Sequence, residues 1–364
     1  SSAGQKHCIK RSDRLLSNRH LHRERGSIYA DLARLFVGSR TRPMIIMDWS
    51  DLDKYKQHFL LWASLAVDGR PVTLYEAVHT LKTREKPRTH LNFLQQLKAM
   101  LPASCCPIII SDAGFRVPWF KQVGSFDWDW IGRVRHRTYV QWQADAVDDQ
   151  ASWFPGKTLY TQATLRPKVL GAARLVRNNP VDCQLIVFQA KPKGRVHLNR
   201  LGHKAMTSRS RKQTASAKEP WLLATSLPAT SQLAKRIVKA YTQRMQIEES
   251  FRDVKSTRLG LSLELHLTWQ VERLQVMLLM AHLALLVAWL LGKATELTGQ
   301  HRQYQANTVR DRKVLSTIFI GLKMMNDRRV ILTALDLIKA WQQLLDSIQA
   351  HCLFDDIKTM RKAT

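Results

Sequence analysis

The sequence predicts an α/β fold: a mixed sheet with helices on both faces, interrupted by a β-rich insertion and followed by a helical C-terminal region. Three observations predict it. Short apolar runs bounded by turn residues alternate with amphipathic stretches between residues 44 and 134. From about 136 to 228 the texture changes to brief strand-like runs separated by polar loops. Helical periodicity then resumes from about 231.

Residues 6 to 36 repeat apolar side chains at three and four and read as basic helix, broken at Arg42-Pro43. Met44 to Met47 is a short buried strand ending at Asp48-Trp49-Ser50. The runs Phe59 to Val67 and Val72 to Val78 flank Asp68-Gly69-Arg70, whose chemistry makes a hairpin. An amphipathic helix follows over 88–101. A buried strand over 107–110 ends at Ser111-Asp112, and Ala113-Gly114-Phe115 turns the chain into a helix near 117–123. A fifth strand is expected over 127–134, where acids and apolar side chains alternate. In a sheet with the first and fourth strands parallel and adjacent, Asp48 and Asp112 meet at one edge. Later strands are expected at 138–142, 185–188 and 221–225, and later helices from 231, over 267–292 and over 328–350.

The chain has 364 residues, with 57 Lys+Arg against 29 Asp+Glu and a formal charge of +28. Such an excess opposes compaction, so it points to a polyanion partner, and nucleic acid fits best. A hydrophobic content of 45% with 11 Trp excludes a basic tail protein, because it demands large cores. Lys191 to Lys218 holds nine Lys/Arg and no acid, as suits a loop that tracks phosphates. The five cysteines lack metal-ligand spacing and read as reduced thiols of a cytoplasmic protein. Val276 to Gly292 is membrane-like, but it is short for a span and carries His282 at its middle, so a buried helix is expected.

The run YTQRMQIEESFRDVK carries the most specific signal. On one helix, Tyr241, Arg244, Glu248 and Lys255 fall within an arc of roughly 60°, joined by Arg252. Ala240, Ile247, Phe251 and Val254 form an apolar stripe beside them. The helix therefore buries one edge and presents a carboxylate among cations and a phenol. Together with Asp48 and Asp112, Glu248 gives three carboxylates, a donor set for hard divalent cations such as Mg²⁺. Two such ions can activate an attacking oxygen and stabilise a leaving one.

MDWSD at Asp48, IISDAGF at Asp112 and Y-x2-R-x3-E-x6-K from Tyr241 to Lys255 resemble the DDE transposases of bacterial insertion sequences. The resemblance is to the group of transposons ten and five, closer to transposon ten. NRHLHRER, GRPVTLYEA, SDAGFRVPWF, SASAKEPWLLAT, RMQIEESFRD and QANTVRDRKVLST extend it along nearly the whole chain. It implies a ribonuclease-H-like core and assigns Asp48, Asp112 and Glu248 as the catalytic and metal-binding residues. Two Mg²⁺ ions per active site are implied, with Mn²⁺ as a substitute. Glu249 lies about 80° past the arc's origin, and the motif spacing favours Glu248. Tyr241, Arg244 and Lys255 match residues that grip the backbone of the transposon end. Trp221 matches a tryptophan that replaces a flipped base, and Arg252 is added because it shares the face.

The resemblance implies cut-and-paste transposition of double-stranded DNA by a homodimer, cytoplasmic and nucleoid-associated, with no membrane partner. The expected organisation is a basic helical segment over 1–40, core over 41–135, insertion over 136–228, core with the third acid over 229–292, and a helical region over 293–364 that could serve dimerisation. The resemblance begins partway into the family's length, so part of the N-terminal DNA-binding region is expected to be missing. A transposase-derived DNA-binding protein, a ribonuclease-H-like structure-specific nuclease and a peripheral membrane protein are the rival classes.

Overall fold

The computed structural model describes residues 4–67, 69–135, 137–144, 152–191, 207–208, 219–259, 261–309, 311–327 and 329–357. Most of the cationic run 191–218 lies outside these, as does Asp68 of the expected hairpin turn. The chain divides into two compact units, Ser1–Cys105 with Met245–Asp355 and Cys106–Arg244 with Asp356–Thr364.

In the first unit, α1 (Gln5–Leu16) and α2 (Arg19–Val37) replace the single basic helix expected. Asn18 causes the break: its side chain accepts the His20 N–H at 2.9 Å and caps α2. Strands β1 (Met44–Asp51), β2 (His58–Leu65) and β3 (Val72–Thr80) form antiparallel pairs in the order β3-β2-β1. Gly69, at φ +84°, takes the left-handed conformation that the β2–β3 turn needs. β1 runs on past Asp48, because Trp49, Ser50 and Asp51 continue pairing with Leu61, Leu60 and Phe59. Asp48 therefore sits within the strand rather than at its end. Helix α3 (Pro87–Met100) completes this half of the unit.

In the second unit, β4 (Ile108–Ser111) and β5 (Asp129–Arg133) are parallel, joined by α4 (Val117–Gly124). β6 (Tyr139–Trp142), β7 (Phe154–Pro155), β8 (Lys168–Leu175), β9 (Val181–Phe188) and β10 (Trp221–Thr225) extend the order to β4-β5-β10-β9-β8-β6-β7. β5 pairs with β10, β10 with β9, β9 with β8, β8 with β6 and β6 with β7, all antiparallel, so the sheet is mixed. Helix α5 (Leu233–Gln243) buries Leu233, Ile237, Val238 and Ala240.

The helix expected to run unbroken through Tyr241 and Lys255 is two helices. At Arg244 the chain tightens, its N–H bonding the Tyr241 carbonyl three residues back at 3.1 Å, and α6 (Met245–Lys255) begins at the next residue. That joint is also where the two units divide. The stripe Ile247, Phe251 and Val254 is buried as expected, in a cluster with Ile46, Leu60 and Trp62 of the first unit.

Helix α7 (Val271–Leu297) is long and apolar enough to cross a membrane, and half of its most apolar window is buried. It packs on β3, α2, α8 (Thr317–Met324) and α9 (Ala334–Ala350), and α8 was not anticipated from the sequence. His282, the polar residue in the apolar run, faces inward. Its Nδ1 lies 2.9 Å from Glu76 Oε2, and its ring is 4.4 Å from that of Trp62. Tyr29 donates its hydroxyl to Glu76 Oε1 at 2.5 Å, and Arg25 donates to the Glu76 carbonyl at 3.0 Å. An inward polar cluster of this kind explains a histidine in the middle of an apolar helix.

The order β1β2β3–α3–β4–α4–β5, then a β-rich stretch and a helical tail, is the ribonuclease-H-like α/β order that the resemblance implied.

Candidate active site

In the first unit the site is built from β1 and α6. Side chains alternate across a strand, so Ile46, Asp48 and Ser50 share one face of β1. Across the ladder Asp48 opposes Trp62 and Ser50 opposes Leu60. Trp62 meets Phe251 of α6 edge-on with ring centroids 5.0 Å apart. The apolar stripe of α6 thus covers the face of β1 that carries Asp48. Asp48 is 8% exposed, and its Oδ1 accepts the N–H of Trp49 at 2.8 Å. Lys255, at the end of α6, donates from Nζ to Ser50 Oγ at 2.9 Å. Burial holds the Lys255 ammonium below its usual pKa, against the opposing pull of Asp51, Glu264 and Asp53.

Glu248 lies in the first turn of α6 and is half-buried. A carboxylate there meets the positive end of the helix dipole. Its neighbour Glu249 is held by cations. Arg252 pairs with it along the helix, and Arg70 Nη2 lies 3.5 Å from its Oε2. Arg70 also grips buried Asp253, with Nε donating to Oδ2 at 2.5 Å. Sequence reasoning missed this clamp and the Lys255–Ser50 contact. Arg70 in a hairpin turn and Ser50 two residues after an acid carry no signal until tertiary structure joins them to α6.

In the second unit, Asp112 directly follows β4 and folds the turn into α4. Its Oδ1 accepts the Gly114 N–H at 2.7 Å, and Arg135 Nε donates to the Ala113 carbonyl at 2.5 Å. A Cβ on Gly114 would lie 2.8 Å from Asp112 Oδ1, so glycine is the residue that this turn accepts.

Trp221, Tyr241 and Arg244 come together in the same unit. Trp221 opens β10 and is half-buried between Phe188 and Tyr241, with ring centroids 5.7 and 5.1 Å away, both edge-on. The Arg244 guanidinium lies 5.7 Å from the Tyr241 ring centroid. Burial raises the Tyr241 phenol pKa, Arg244 and Arg133 oppose that rise, and Asp112 adds to it. The phenol is therefore a neutral hydrogen-bond donor at physiological pH. Arg252 is exposed on α6 despite its pairing with Glu249.

Beside Asp48, Trp49 donates from Nε1 to His90 Nε2 at 3.1 Å and meets His79 edge-on at 5.3 Å. Burial lowers both histidines to a pKa of about 4, so both are neutral near pH 7.

No curated protein gives a match. A family model described as "Transposase DDE domain" matches residues 40–286, a span that includes Asp48, Asp112 and Glu248. Covering well over half of the chain, that match makes this protein a member of the transposase DDE domain family.

Proposed function

We propose that this transposase moves an insertion sequence of the transposon-ten/transposon-five group by cut-and-paste, with Asp48, Asp112 and Glu248 as its catalytic acids. The packing of α6 over the Asp48 face of β1, tied down by Lys255 on Ser50, is the observation that supports it most. It brings the strand of the first acid and the helix of the third into one compact unit. Asp112 enters the set through its sequence motif.

The family generally works with divalent metal ions, and the donors here suit one. Three carboxylates are hard oxygen ligands, and the burial of Asp48 favours pairing its charge with a cation. Asp48, Asp112 and Glu248 would hold Mg²⁺, or Mn²⁺ in its place, as two ions. Bound there, the ions supply charge stabilisation to the attacking and leaving oxygens of an in-line phosphoryl transfer.

The chain's own residues do the rest. Lys255, Arg244 and Arg252 supply cations to the phosphates of the transposon end, and Tyr241 supplies a neutral donor. Water nicks one strand, and the freed 3′-hydroxyl attacks the opposite strand to close a hairpin. A second water opens the hairpin, and the 3′-ends join target DNA. Trp221 offers its ring to the gap left by an extruded base, which relieves the strain of a sharply folded strand end. The protein acts as a homodimer on paired ends, in the cytoplasm at the nucleoid.

Cleavage of a labelled duplex carrying the element's end, with Mg²⁺ or with EDTA, tests this reading. Nicks and hairpins that need Mg²⁺ and vanish in Glu248→Gln but persist in Glu249→Gln are expected. Metal-dependent nicks without hairpin or strand transfer would favour a structure-specific nuclease. Tight binding without any cut would make the chain a DNA-binding relic.

A further inference from the structure

The first unit holds a second cluster of metal-ligating side chains, on a different part of β1–β2 and made of different donors. Asp53 stands in the turn between β1 and β2, His58 is the first residue of β2, and His266 follows the short helical turn Leu263–Leu265 on the way from α6 to α7. One donor atom from each lies within 4.8 Å of the other two. Asp53 and His58 are 6% and 3% exposed.

Asp53 is fixed in place by its own turn. Its Oδ1 accepts the Tyr55 N–H at 2.8 Å, and its Oδ2 accepts the His58 N–H at 2.7 Å. Burial pushes its pKa upward, but hydrogen bonds from Gln57, His58 and Tyr55 outweigh that, so the group is a carboxylate. His58 Nδ1 lies 3.1 Å from Asp53 Oδ2. Four donors set tetrahedrally about Zn²⁺ are spaced roughly 3.4 Å apart, so this pair already stands close to a ligand edge.

His266 supplies the unexplained element. Its ring lies 5.6 Å from that of His58, and both of its ring nitrogens are shut from water without meeting a hydrogen-bond partner at good geometry. Burial lowers its pKa, opposed by Asp53 and the Thr268 backbone, so the ring is neutral at pH 7. A neutral imidazole turned toward a carboxylate and a second imidazole is poised as a ligand. Two nitrogens and one oxygen select a borderline ion such as Zn²⁺ over Mg²⁺, which takes oxygens.

We propose that Asp53, His58 and His266 form a zinc site, separate from the carboxylates of the candidate active site, that clips the β1–β2 turn to the segment joining α6 to α7. Water would complete the tetrahedron as the fourth ligand. The clip would steady the segment that follows the helix of Glu248 without entering the chemistry, and it needs no DNA.

The test is calorimetric titration of EDTA-stripped full-length protein with Zn²⁺, in a large excess of Mg²⁺. One equivalent is expected to bind and to raise the unfolding temperature. His266→Gln should weaken that binding at least tenfold and abolish the temperature shift. Because its side chain sits on a loop, this variant tests the site even if His58→Gln fails to fold. Asp48→Asn/Glu248→Gln should bind zinc as the unaltered protein does. No stoichiometric zinc, or zinc binding unchanged by His266→Gln, would overturn the site.

Discussion

The Lys255 ammonium donates to the Ser50 hydroxyl at 2.9 Å, joining the last turn of α6 to the strand of Asp48. Ser50 lies two residues beyond Asp48 on the same strand face. Any displacement of the helix is therefore felt where the first acid sits. The ammonium is partly desolvated, and the nearby Asp51, Glu264 and Asp53 favour its charge.

Replacing Lys255 with Met keeps the apolar stem and removes the charge. The expected outcome is weaker binding of the transposon end, with the slope of log K against log salt reduced by about one. Secondary structure should be unchanged, because Ile247, Phe251 and Val254 still hold α6. Filter binding over a salt series checks both points. An unchanged slope would show that Lys255 meets no phosphate.

Gly114→Ala tests the geometry of Asp112 without altering any charge. The new Cβ would sit 2.8 Å from Asp112 Oδ1 and force the carboxylate or the turn to shift. An ångström of misplacement at a reacting centre costs about a hundredfold in rate. Strand nicking is expected to fall by that order while the melting temperature moves little. Equal loss of both would mean that the turn serves folding alone.

How far the sequence revealed this arrangement depends on the residue. The strands around Asp48 and Asp112, the hairpin at Gly69 and the stripe of α6 were legible because burial imposes a period on apolar residues. The break at Arg244 was not, since no glycine or proline marks it and both flanking stretches keep helical periodicity. The true end of β1 was hidden because Trp49, Ser50 and Asp51 are held by pairing with β2 rather than by their own hydrophobicity. Asp53, His58 and His266 carried no spacing motif, because the ligands come from a turn, a strand start and a distant loop.

Burial sets a pH dependence around Trp49. His90 accepts from Trp49 Nε1, and its pKa is about 4 in the folded chain against 6.5 for an ordinary histidine. The unfolded chain therefore binds the proton more readily between those values. The histidine's stabilising share is whole above pH 6.5 and lost as pH falls toward 4. After allowance for partial exposure that loss is about 2 kcal/mol for His90, and His79 behaves alike. His90→Gln, which can still accept from Trp49, should flatten the fall of melting temperature over that range.

Helices α7 and α8 cross at two glycines. A Cβ on Gly292 would overlap the Thr317 carbonyl, and one on Gly321 would overlap the Ala288 carbonyl. Both obstacles are backbone, so the helices themselves would have to part. Gly292→Ala is expected to destabilise the first unit by about 3 kcal/mol, the upper range for overpacking. Chemical denaturation measures it. A neutral result would mean that α8 can move away from α7 at little cost.

Trp221 offers the sharpest separation of packing from chemistry. Its ring contacts Phe188 and Tyr241 edge-on, leaving it half-buried, so truncation removes both core contacts and an aromatic surface. Trp221→Ala should lower stability, as loss of a large side chain does. If the ring also fills the space of a flipped base, nicking should persist while hairpin formation falls by an order of magnitude or more. That loss corresponds to about 1.4 kcal/mol or more, within the range of base–aromatic stacking. Trp221→Phe keeps an aromatic face and should restore part of the hairpin yield. A variant whose nicking and hairpin yields fall together, in proportion to lost stability, would assign Trp221 to packing alone. The ratio of hairpin to nicked product at one temperature therefore decides between the two roles, because a fold defect lowers both products alike.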